Sequence, residues 1–411
     1  MSATAAAAER LPARLARWAA RGRLGPASLS GIGFACGCCA VVWLTAGTPA
    51  GTLAGGTALI AGSLAQEAAA RAARAGPAGA RRAADGWLAA GCATAAEFAA
   101  YGALAAGAPA GQQRGLWPLA AGALILLAFR QMAALCRGPG AAAAGARPVL
   151  RAAWLLLTLP APARAALITV TALAWGPRLT FLALLGWGTA ATVAALAWPR
   201  REVPPETGPA GPVPARREAG PGPAGLAACR GDGPIARRAG ALVRGQLAPL
   251  PAALAGLAAT GLLAAVGLRG LAGVVLLAPA AAMLLAAPGA AHPHDGRLDW
   301  LVPPALQAGQ YIYLAALGFA AGVPGPLTFA LPAVLALRHL DAGYRARHWP
   351  GWRPRYAGAG FGWEGRMLAA GLAAVLGVAT FAYLVLTAYL GVLLGWICLS
   401  SWYSVQEGAR G

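Results

Sequence analysis

The sequence predicts an all-α protein, a polytopic bundle of about 10 to 12 transmembrane helices in two blocks. Of its 411 residues, 58% are hydrophobic and only 11% are charged, with a mean hydropathy of +0.59. This composition is too apolar for a water-soluble globular protein. Apolar runs long enough to cross a bilayer recur along the chain, and the basic residues, all of them arginine, lie in short runs between them.

The net charge of +20 favours an anionic membrane surface over nucleic acid as the partner. A nucleic-acid-binding domain gathers its arginines on one soluble face, whereas these flank apolar segments. We therefore expect membrane lipids with anionic headgroups as partners, and no nucleic acid. A second copy of the chain, forming a homodimer, is a further candidate partner. The seven cysteines lack the paired spacing of a metal site, so the sequence predicts no metal and no cofactor.

The first element is an amphipathic N-terminal segment over residues 1–28. Leu11, Leu15 and Trp18 recur at helical spacing among arginines, which is typical of a helix lying on a membrane surface. The segment shows no clear cleavage site, so we expect it to be retained.

Six predicted spans follow in residues 29–198. They lie near 29–47, 52–68, 86–107, 116–135, 152–174 and 179–198. Arginine-rich loops alternate with arginine-poor ones, which predicts that both ends of this block, and the N-terminus, face the cytoplasm of a multi-pass cell-membrane protein.

Residues 199–245 are rich in Pro, Gly and Arg and predict a cytoplasmic linker. A second transmembrane block of unknown function is predicted over 246–403. Its spans lie near 247–268, 271–291, 299–321 and 324–338. A polar loop is expected over 339–365, and either one long or two short spans over 366–402.

Two segments of the first block carry a recognisable pattern. Ser63 to Arg71 ends the second span, and Trp87 to Leu104 opens the third. Together they resemble the signature of CDP-alcohol phosphatidyltransferases: Asp-x-x-Asp-Gly-x-x-Ala-Arg, a spacer, then Gly-x-x-x-Asp-x-x-x-Asp. The resemblance implies that the aspartates would hold divalent cations on a CDP diphosphate, and that the last would deprotonate an alcohol.

The acidic positions of that signature are neutral in this chain. Ala70 and Arg71 match its Ala-Arg, but Ser63 and Gln66 occupy the first two Asp positions and Glu67 replaces the Gly. The second segment is aligned on Trp87, Leu88, Glu97, Phe98 and Tyr101. This register places Ala89 and Ala93 at the last two Asp positions, so the resemblance implies a transferase-like block without its cation ligands.

Two further features of the sequence admit alternatives. Glu97 is either a buried functional acid or the partner of Arg130 or Arg71. The segment Asp232 to Arg237 matches Asp-Gly-x-x-Ala-Arg, but it follows the Pro/Gly-rich linker and lacks downstream acids. We interpret it as the start of a helix with Asp232 as the N-cap.

The second block resembles an uncharacterised membrane domain found behind such transferases in GC-rich bacteria. The resemblance covers His292 to Trp300, Gln307 to Tyr313 and Arg338 to Arg345. Its densest polar cluster is His292, His294, Asp295 and Asp299. These residues are either a metal-ligating candidate site or, as we favour, a tight turn in which Asp299 caps the next helix and Trp300 anchors it at the membrane interface.

The sequence thus predicts an integral membrane protein similar to a CDP-alcohol phosphatidyltransferase of phospholipid biosynthesis, but without that catalysis, acting as a binding or scaffold protein. One rival is an active transferase that uses His292, His294, Asp295 and Asp299 as a relocated metal site. The other is a transporter, which needs polar residues within spans, and Glu97 and Arg130 are the residues that support it.

Overall fold

A computed structural model describes most of the chain and confirms the all-α prediction. It covers residues 3–22, 24–76, 80–137, 159–197, 223–243, 249–266, 273–284, 286–287, 289, 298–349 and 358–407. Over these residues the regular elements are α-helices and short 3₁₀ turns.

Among the described residues, six helices precede residue 199. They are α1 (Ala3–Arg21), α2 (Pro26–Thr45), α3 (Pro49–Ala75), α4 (Ala80–Ala106), α5 (Ala110–Arg137) and α6 (Ala161–Ala197). Eight more follow: α7 (Pro223–Arg230), α8 (Pro234–Val243), α9 (Pro249–Val266), α10 (Ala278–Leu284), α11 (Val302–Ala320), α12 (Gly325–His348), α13 (Gly362–Val375) and α14 (Ala379–Glu407). Two of these, α7 and α8, lie within the stretch predicted as a linker.

Five of the described helices are long and apolar enough to cross a bilayer, which makes this a membrane protein. They cover Pro26–Thr45, Arg81–Ala106, Ala110–Arg137, Ala161–Leu196 and Ala379–Tyr403. The predicted span near 52–68 corresponds to α3, which is not among the five. Its sequence contains four glycines and a polar end with Gln66, Glu67, Arg71 and Arg74, all of which are less apolar than alanine or leucine.

The described residues cluster into two compact units. The first contains α1 to α4, α5 up to Ala123, and α6. The second contains the rest of α5 from Leu124, α7 to α13, and α14 up to Ser400.

Close packing through glycine holds the first unit together. A Cβ at Gly37 of α2 would lie 2.6 Å from the Cβ of Ala96 on α4. A Cβ at Gly62 of α3 would lie 2.8 Å from the carbonyl oxygen of Gly33 on α2. Small residues let membrane helices approach backbone to backbone and gain van der Waals contact. The α2–α3–α4 packing is of this kind.

The first helix has one side on the protein and one side away from it. Ala19 is buried in an apolar cluster with Leu29, Ala68, Ala69 and Ala89, and Leu15 packs against that cluster. Leu11 and Trp18 are exposed, as a membrane-surface helix requires.

Helix α6 is broken at Gly176, where φ is 81° and the backbone is non-helical, and Pro177 follows. Proline disfavours a helical conformation for the preceding residue, and glycine adopts positive φ at little cost. The break falls between the spans predicted near 152–174 and 179–198.

The second unit is built around α11, most of whose residues are buried. It packs against α9, α12, α13 and α7. In contrast, the apolar side chains of α14, such as Phe381, Val392 and Trp396, are exposed, which suits a helix that faces lipid.

Two predictions about the end of the chain are refined by the structure. Helix α12 continues through Arg338 to His348, so the predicted polar loop begins later than residue 339. Its polar end is stabilised locally by the ion pair of Arg345 with Asp341, one turn apart. Residues 366–402 belong to two helices, α13 and α14, separated at Gly377, where φ is 74°.

Candidate functional sites

Three of the four degenerate signature positions line one small cavity in the first unit. Ser63 and Gln66 of α3 and Ala93 of α4 reach it together with Glu97 of α4 and Ala165 of α6. The volume of the cavity is about 20 Å³, which is room for on the order of one or two water molecules. The cavity therefore fits the alignment of the two segments, but it does not hold a nucleotide as it stands.

Ser63 and Gln66 of this cavity donate hydrogen bonds to backbone carbonyl groups of the protein. The hydroxyl of Ser63 donates to the carbonyl of Ile60 at 2.8 Å. The amide nitrogen of Gln66 donates to the carbonyl of Ser30 at 2.9 Å, and its amide oxygen is buried without a partner. These side chains bring no negative charge to the cavity.

Glu97, the acid of the cavity, is engaged by an arginine of α6. Arg164 donates from Nε and Nη2 to the two carboxylate oxygens of Glu97 at 2.8 and 2.7 Å, a bidentate pair. The hydroxyl of Tyr101 also donates to Glu97 at 2.8 Å. The partner is thus Arg164, which neither of the two alternatives, Arg130 or Arg71, anticipated.

The remaining signature positions lie away from the cavity lining. Glu67 is half-buried and pairs with Arg71 at 3.0 Å and with Arg74 at 3.7 Å. Ala89 is buried in the apolar cluster described above, against which Ala70 packs. The third Asp position of the signature is therefore occupied by a core residue.

Of the candidate polar cluster, His292, His294 and Asp295 lie outside the described residues. Asp299 is buried and opens a 3₁₀ turn ahead of α11. It does not cap that helix, whose N-cap is Leu301 without a side-chain hydrogen bond. The second and third residues of α11 are Pro303 and Pro304, which have no backbone N–H to donate to a capping side chain. The prediction that Asp299 caps this helix was therefore wrong.

Trp300 does not sit at an exposed interface as predicted. It is buried with Met132, Cys136 and Leu226, and the guanidinium carbon of Arg137 lies 5.1 Å from its ring centroid. Trp300 is thus a core residue of the second unit.

A second polar cluster, which we call the Arg366 cluster, consists of Arg366, Gln310, His339 and Tyr311. All four side chains are buried. Nη2 of Arg366 donates to Oε1 of Gln310 at 3.1 Å and lies 3.3 Å from Nε2 of His339. Nδ1 of His339 lies 2.6 Å from the hydroxyl of Tyr311. Nη1 of Arg366 donates to the carbonyl of Gly360 at 2.7 Å.

The geometry fixes the protonation of His339. A guanidinium only donates, so Nε2 accepts from Arg366, and the proton lies on Nδ1, which donates to Tyr311. Burial, with the positive charges of Arg366 and Arg338, holds the pKa of His339 well below its usual range. His339 is therefore neutral at physiological pH.

The segment Asp232 to Arg237, which matches Asp-Gly-x-x-Ala-Arg, leads into helix α8 as predicted, but Asp232 is not the N-cap of that helix. The oxygens of Asp232 accept from Nε of Arg230 at 2.7 Å and from Nε1 of Trp363 at 2.9 Å. The N-terminus of α8 is capped instead by Glu364, which accepts from the backbone N–H groups of Gly233 and Ala236, both at 3.1 Å. A carboxylate suits the positive end of the helix dipole, and here it comes from another helix.

Sequence reasoning missed the residues that organise both sites. Arg164, Glu364 and Arg366 were not singled out, although each is an ionisable residue next to an apolar run, a signal that marks buried polar sites in membrane proteins. Gln310 and His339 were noticed, but no spacing along the chain links them to residues of α13. Among the described residues, no group of three or more His, Cys, Asp or Glu is arranged to hold a metal ion.

The all-α fold and its apolar helices define the class, a helical membrane protein. A protein-family model described as a family of unknown function (DUF5941) matches residues 222–409. No curated protein matches the chain, and no solved structure does. The family match agrees with the prediction of an uncharacterised domain in the second half. It does not extend to the first block, whose resemblance to transferases stays a prediction.

Proposed function

We propose that this protein resembles a CDP-alcohol phosphatidyltransferase in its first block but lacks that catalysis, and that it acts as a binding or scaffold protein for anionic lipid headgroups at the cytoplasmic face of the cell membrane. The observation that carries the proposal is the pairing of Glu97 with Arg164 beside the cavity lined by Ser63, Gln66 and Ala93.

Electrostatics argues against a cation cage at this cavity. A divalent cation at the Glu97 carboxylate would have to displace a guanidinium held at 2.7 Å. It would also lie next to the positive charge of Arg164, in a cavity where the aligned Asp positions of the signature are neutral. Because like charges repel strongly at short range when they are poorly solvated, the cavity favours neutral contents such as water.

The arginines at the α3–α4 junction support the binding role. Arg74 has a side chain 61% exposed, Arg81 is exposed, and Arg82 is half-buried. Arginines next to a membrane attract anionic lipid by about 1 kcal/mol each. This junction is one of the arginine-rich connections that the positive-inside rule assigns to the cytoplasm.

A transfer assay tests the missing catalysis. Purified protein in nanodiscs receives CDP-diacylglycerol, a panel of alcohol acceptors, and Mg²⁺ or Mn²⁺. We expect no phosphatidyl transfer above that of empty nanodiscs, while an active member of the transferase family assayed in parallel gives product. Cation-dependent transfer that disappears in Arg71→Ala would contradict the proposal.

Lipid retention tests the binding role with matched charge removal. The double variant Arg81→Gln/Arg82→Gln should co-purify several-fold less anionic phospholipid than the wild type, measured by mass spectrometry. The control Arg114→Gln/Arg178→Gln removes the same charge from positions predicted to lie on the opposite side. Equal losses in the two variants would overturn the headgroup role.

A further inference from the structure

We propose that the second unit contains a binding site for a soft monovalent metal ion, Cu(I), formed by the sulfur atoms of Met132, Cys136 and Cys229. Met132 and Cys136 lie on the part of α5 that belongs to the second unit, and Cys229 lies on α7. The site is independent of the function proposed for the first block, because it contains no residue of the first unit.

The three sulfur atoms form one buried cluster. The thiol of Cys136 donates to Sδ of Met132, one turn earlier on α5, at 3.6 Å, and it is hydrogen-bonded to the thiol of Cys229. Met132, Cys136 and Cys229 are 1%, 2% and 2% exposed. Two ligands with metal–sulfur bonds of about 2.3 Å can lie up to about 4.6 Å apart, so both sulfur atoms of α5 can reach one ion.

The ligand types favour Cu(I) over other metal ions. Thiolate and thioether ligands select Cu(I), zinc or iron–sulfur clusters. Structural zinc takes four ligands from Cys, His, Asp and Glu, and an iron–sulfur cluster is held by four cysteines as a rule. Among the described residues, no three of these zinc-ligand types are grouped for a metal. Two thiols with one thioether therefore point to Cu(I).

A nearby guanidinium supplies the counter-charge that such a complex needs. Cu(I) binds thiolates, so each cysteine releases one proton to solvent and the complex has a net charge of −1. Arg347 of α12 acts electrostatically on Cys136. Its Nη1 donates to the carbonyl of Ala134 at 3.2 Å, two residues before Cys136, and its Nε is buried without a partner. The positive charge of Arg347 thus stabilises the metal–thiolate form.

The surroundings of the cluster suit a reduced metal ion. Leu226 and Trp300 are buried together with Met132 and Cys136, and an apolar shell limits the access of solvent to a metal site. The arginine-bearing segment 137–151 follows directly and is predicted to face the cytoplasm. Thiols on that side are kept reduced, so the cysteines are available as metal ligands.

Competition with a coloured chelator tests the site. The full chain in nanodiscs is titrated into the Cu(I) complex of bicinchoninate, without oxygen and with ascorbate as the reductant. The loss of colour measures the copper that the protein takes up. We expect the wild type to withdraw Cu(I), and X-ray absorption at the copper edge to show sulfur ligands at about 2.3 Å.

Met132→Leu is the decisive variant, because leucine conserves the volume of the core side chain but provides no ligand. We expect the affinity for Cu(I) to fall by at least the roughly tenfold that even an outer-shell substitution costs, with little change in the melting temperature. Cys136→Ser/Cys229→Ser should remove the site. The control Cys38→Ser/Cys92→Ser removes two thiols from α2 and α4 of the first unit and should keep the Met132-dependent copper.

Arg347→Gln tests the counter-charge. It should weaken Cu(I) binding about 10- to 100-fold, as the loss of an outer-shell partner does, and Arg347→Lys should restore most of the affinity because it restores the charge. A merely structural role would give the two variants the same affinity. The proposed site does not exist if the wild type takes no Cu(I) from the chelator, if the spectrum shows nitrogen or oxygen ligands, or if Met132→Leu and Cys136→Ser/Cys229→Ser bind as tightly as the wild type.

Discussion

Glu97 and Glu364 are both buried acids, and each is stabilised in a different way. Glu97 is neutralised by the guanidinium of Arg164 across two helices of the first unit. Glu364 accepts two backbone N–H groups at the start of α8 in the second unit. Both arrangements satisfy a charge that apolar surroundings would otherwise penalise. The acid that sequence reasoning named as a functional candidate therefore already has a structural partner.

Removing the charge of Glu97 should be strongly destabilising. Glu97→Gln leaves the buried Arg164 without a counter-ion, and breaking a buried pair in this way costs about 3–5 kcal/mol. We expect a large loss of stability in detergent, measured by thermal unfolding of the purified protein.

Glu67→Gln is the matched control for that variant. The pair of Glu67 with Arg71 has side chains 32% and 29% exposed, and exposed pairs contribute about 0–1 kcal/mol. Similar losses for the two variants would mean that the Glu97–Arg164 pair is not buried as the structure has it.

The residue scale also shows where prediction from sequence ends. Matching the sequence to the transferase signature predicted neutral residues at positions 63, 66, 89 and 93, and residues 63, 66 and 93 line one cavity. The partner of Glu97 could not be predicted from the sequence, because Arg164 is 67 residues away along the chain. Likewise, Glu364 reaches α8 across 128 residues to Ala236. Such pairs depend on tertiary packing, which no local spacing encodes.

At the scale of elements, glycine decides how closely the helices of the first unit approach. Gly37 faces Ala96 at a distance that leaves no room for a methyl group, whereas Gly31 on the same helix meets nothing within 4 Å. A sequence in which alanine and glycine are both abundant does not distinguish these two positions, because only the packing does.

These two glycines give a paired prediction. Gly37→Ala should destabilise the protein by about 1–3 kcal/mol, since overpacking forces a backbone shift. Gly31→Ala should be neutral or stabilising by up to about 1 kcal/mol, because alanine is the better helix former. Unfolding midpoints of the two variants in the same detergent measure the difference, and an inverted order would be inconsistent with the α2–α4 packing.

Element boundaries were predictable where backbone chemistry sets them. Gly176 and Pro177 interrupt α6 between two predicted spans. The sequence left one long or two short spans open over 366–402, and only the structure, with its break at Gly377, decides for two helices. The prediction was wrong where polar residues were taken for a loop. Asp341 and Arg345 instead continue α12. Residues four apart are neighbours on the surface of a helix, and Asp341 pairs there with Arg345.

At the scale of the whole molecule, the charge distribution along the chain predicts its orientation. Arginines gather at residues 71–82 and again over 199–245, while the α4–α5 connection at Gly107–Pro109 has none. By the positive-inside rule, the arginine-rich segments stay in the cytoplasm and the α4–α5 connection lies on the other side.

Protease accessibility tests this orientation. A recognition site for a specific protease is inserted after Gly211, and in a second variant after Ala108. We expect the first to be cut in inverted membrane vesicles and protected in spheroplasts, because the positive-inside rule keeps the arginine-rich segment 199–245 on the cytoplasmic side. The second should show the reverse pattern. Cleavage after Gly211 from outside the cell would place the arginines on the wrong side and would also remove the cytoplasmic headgroup role proposed for the first block.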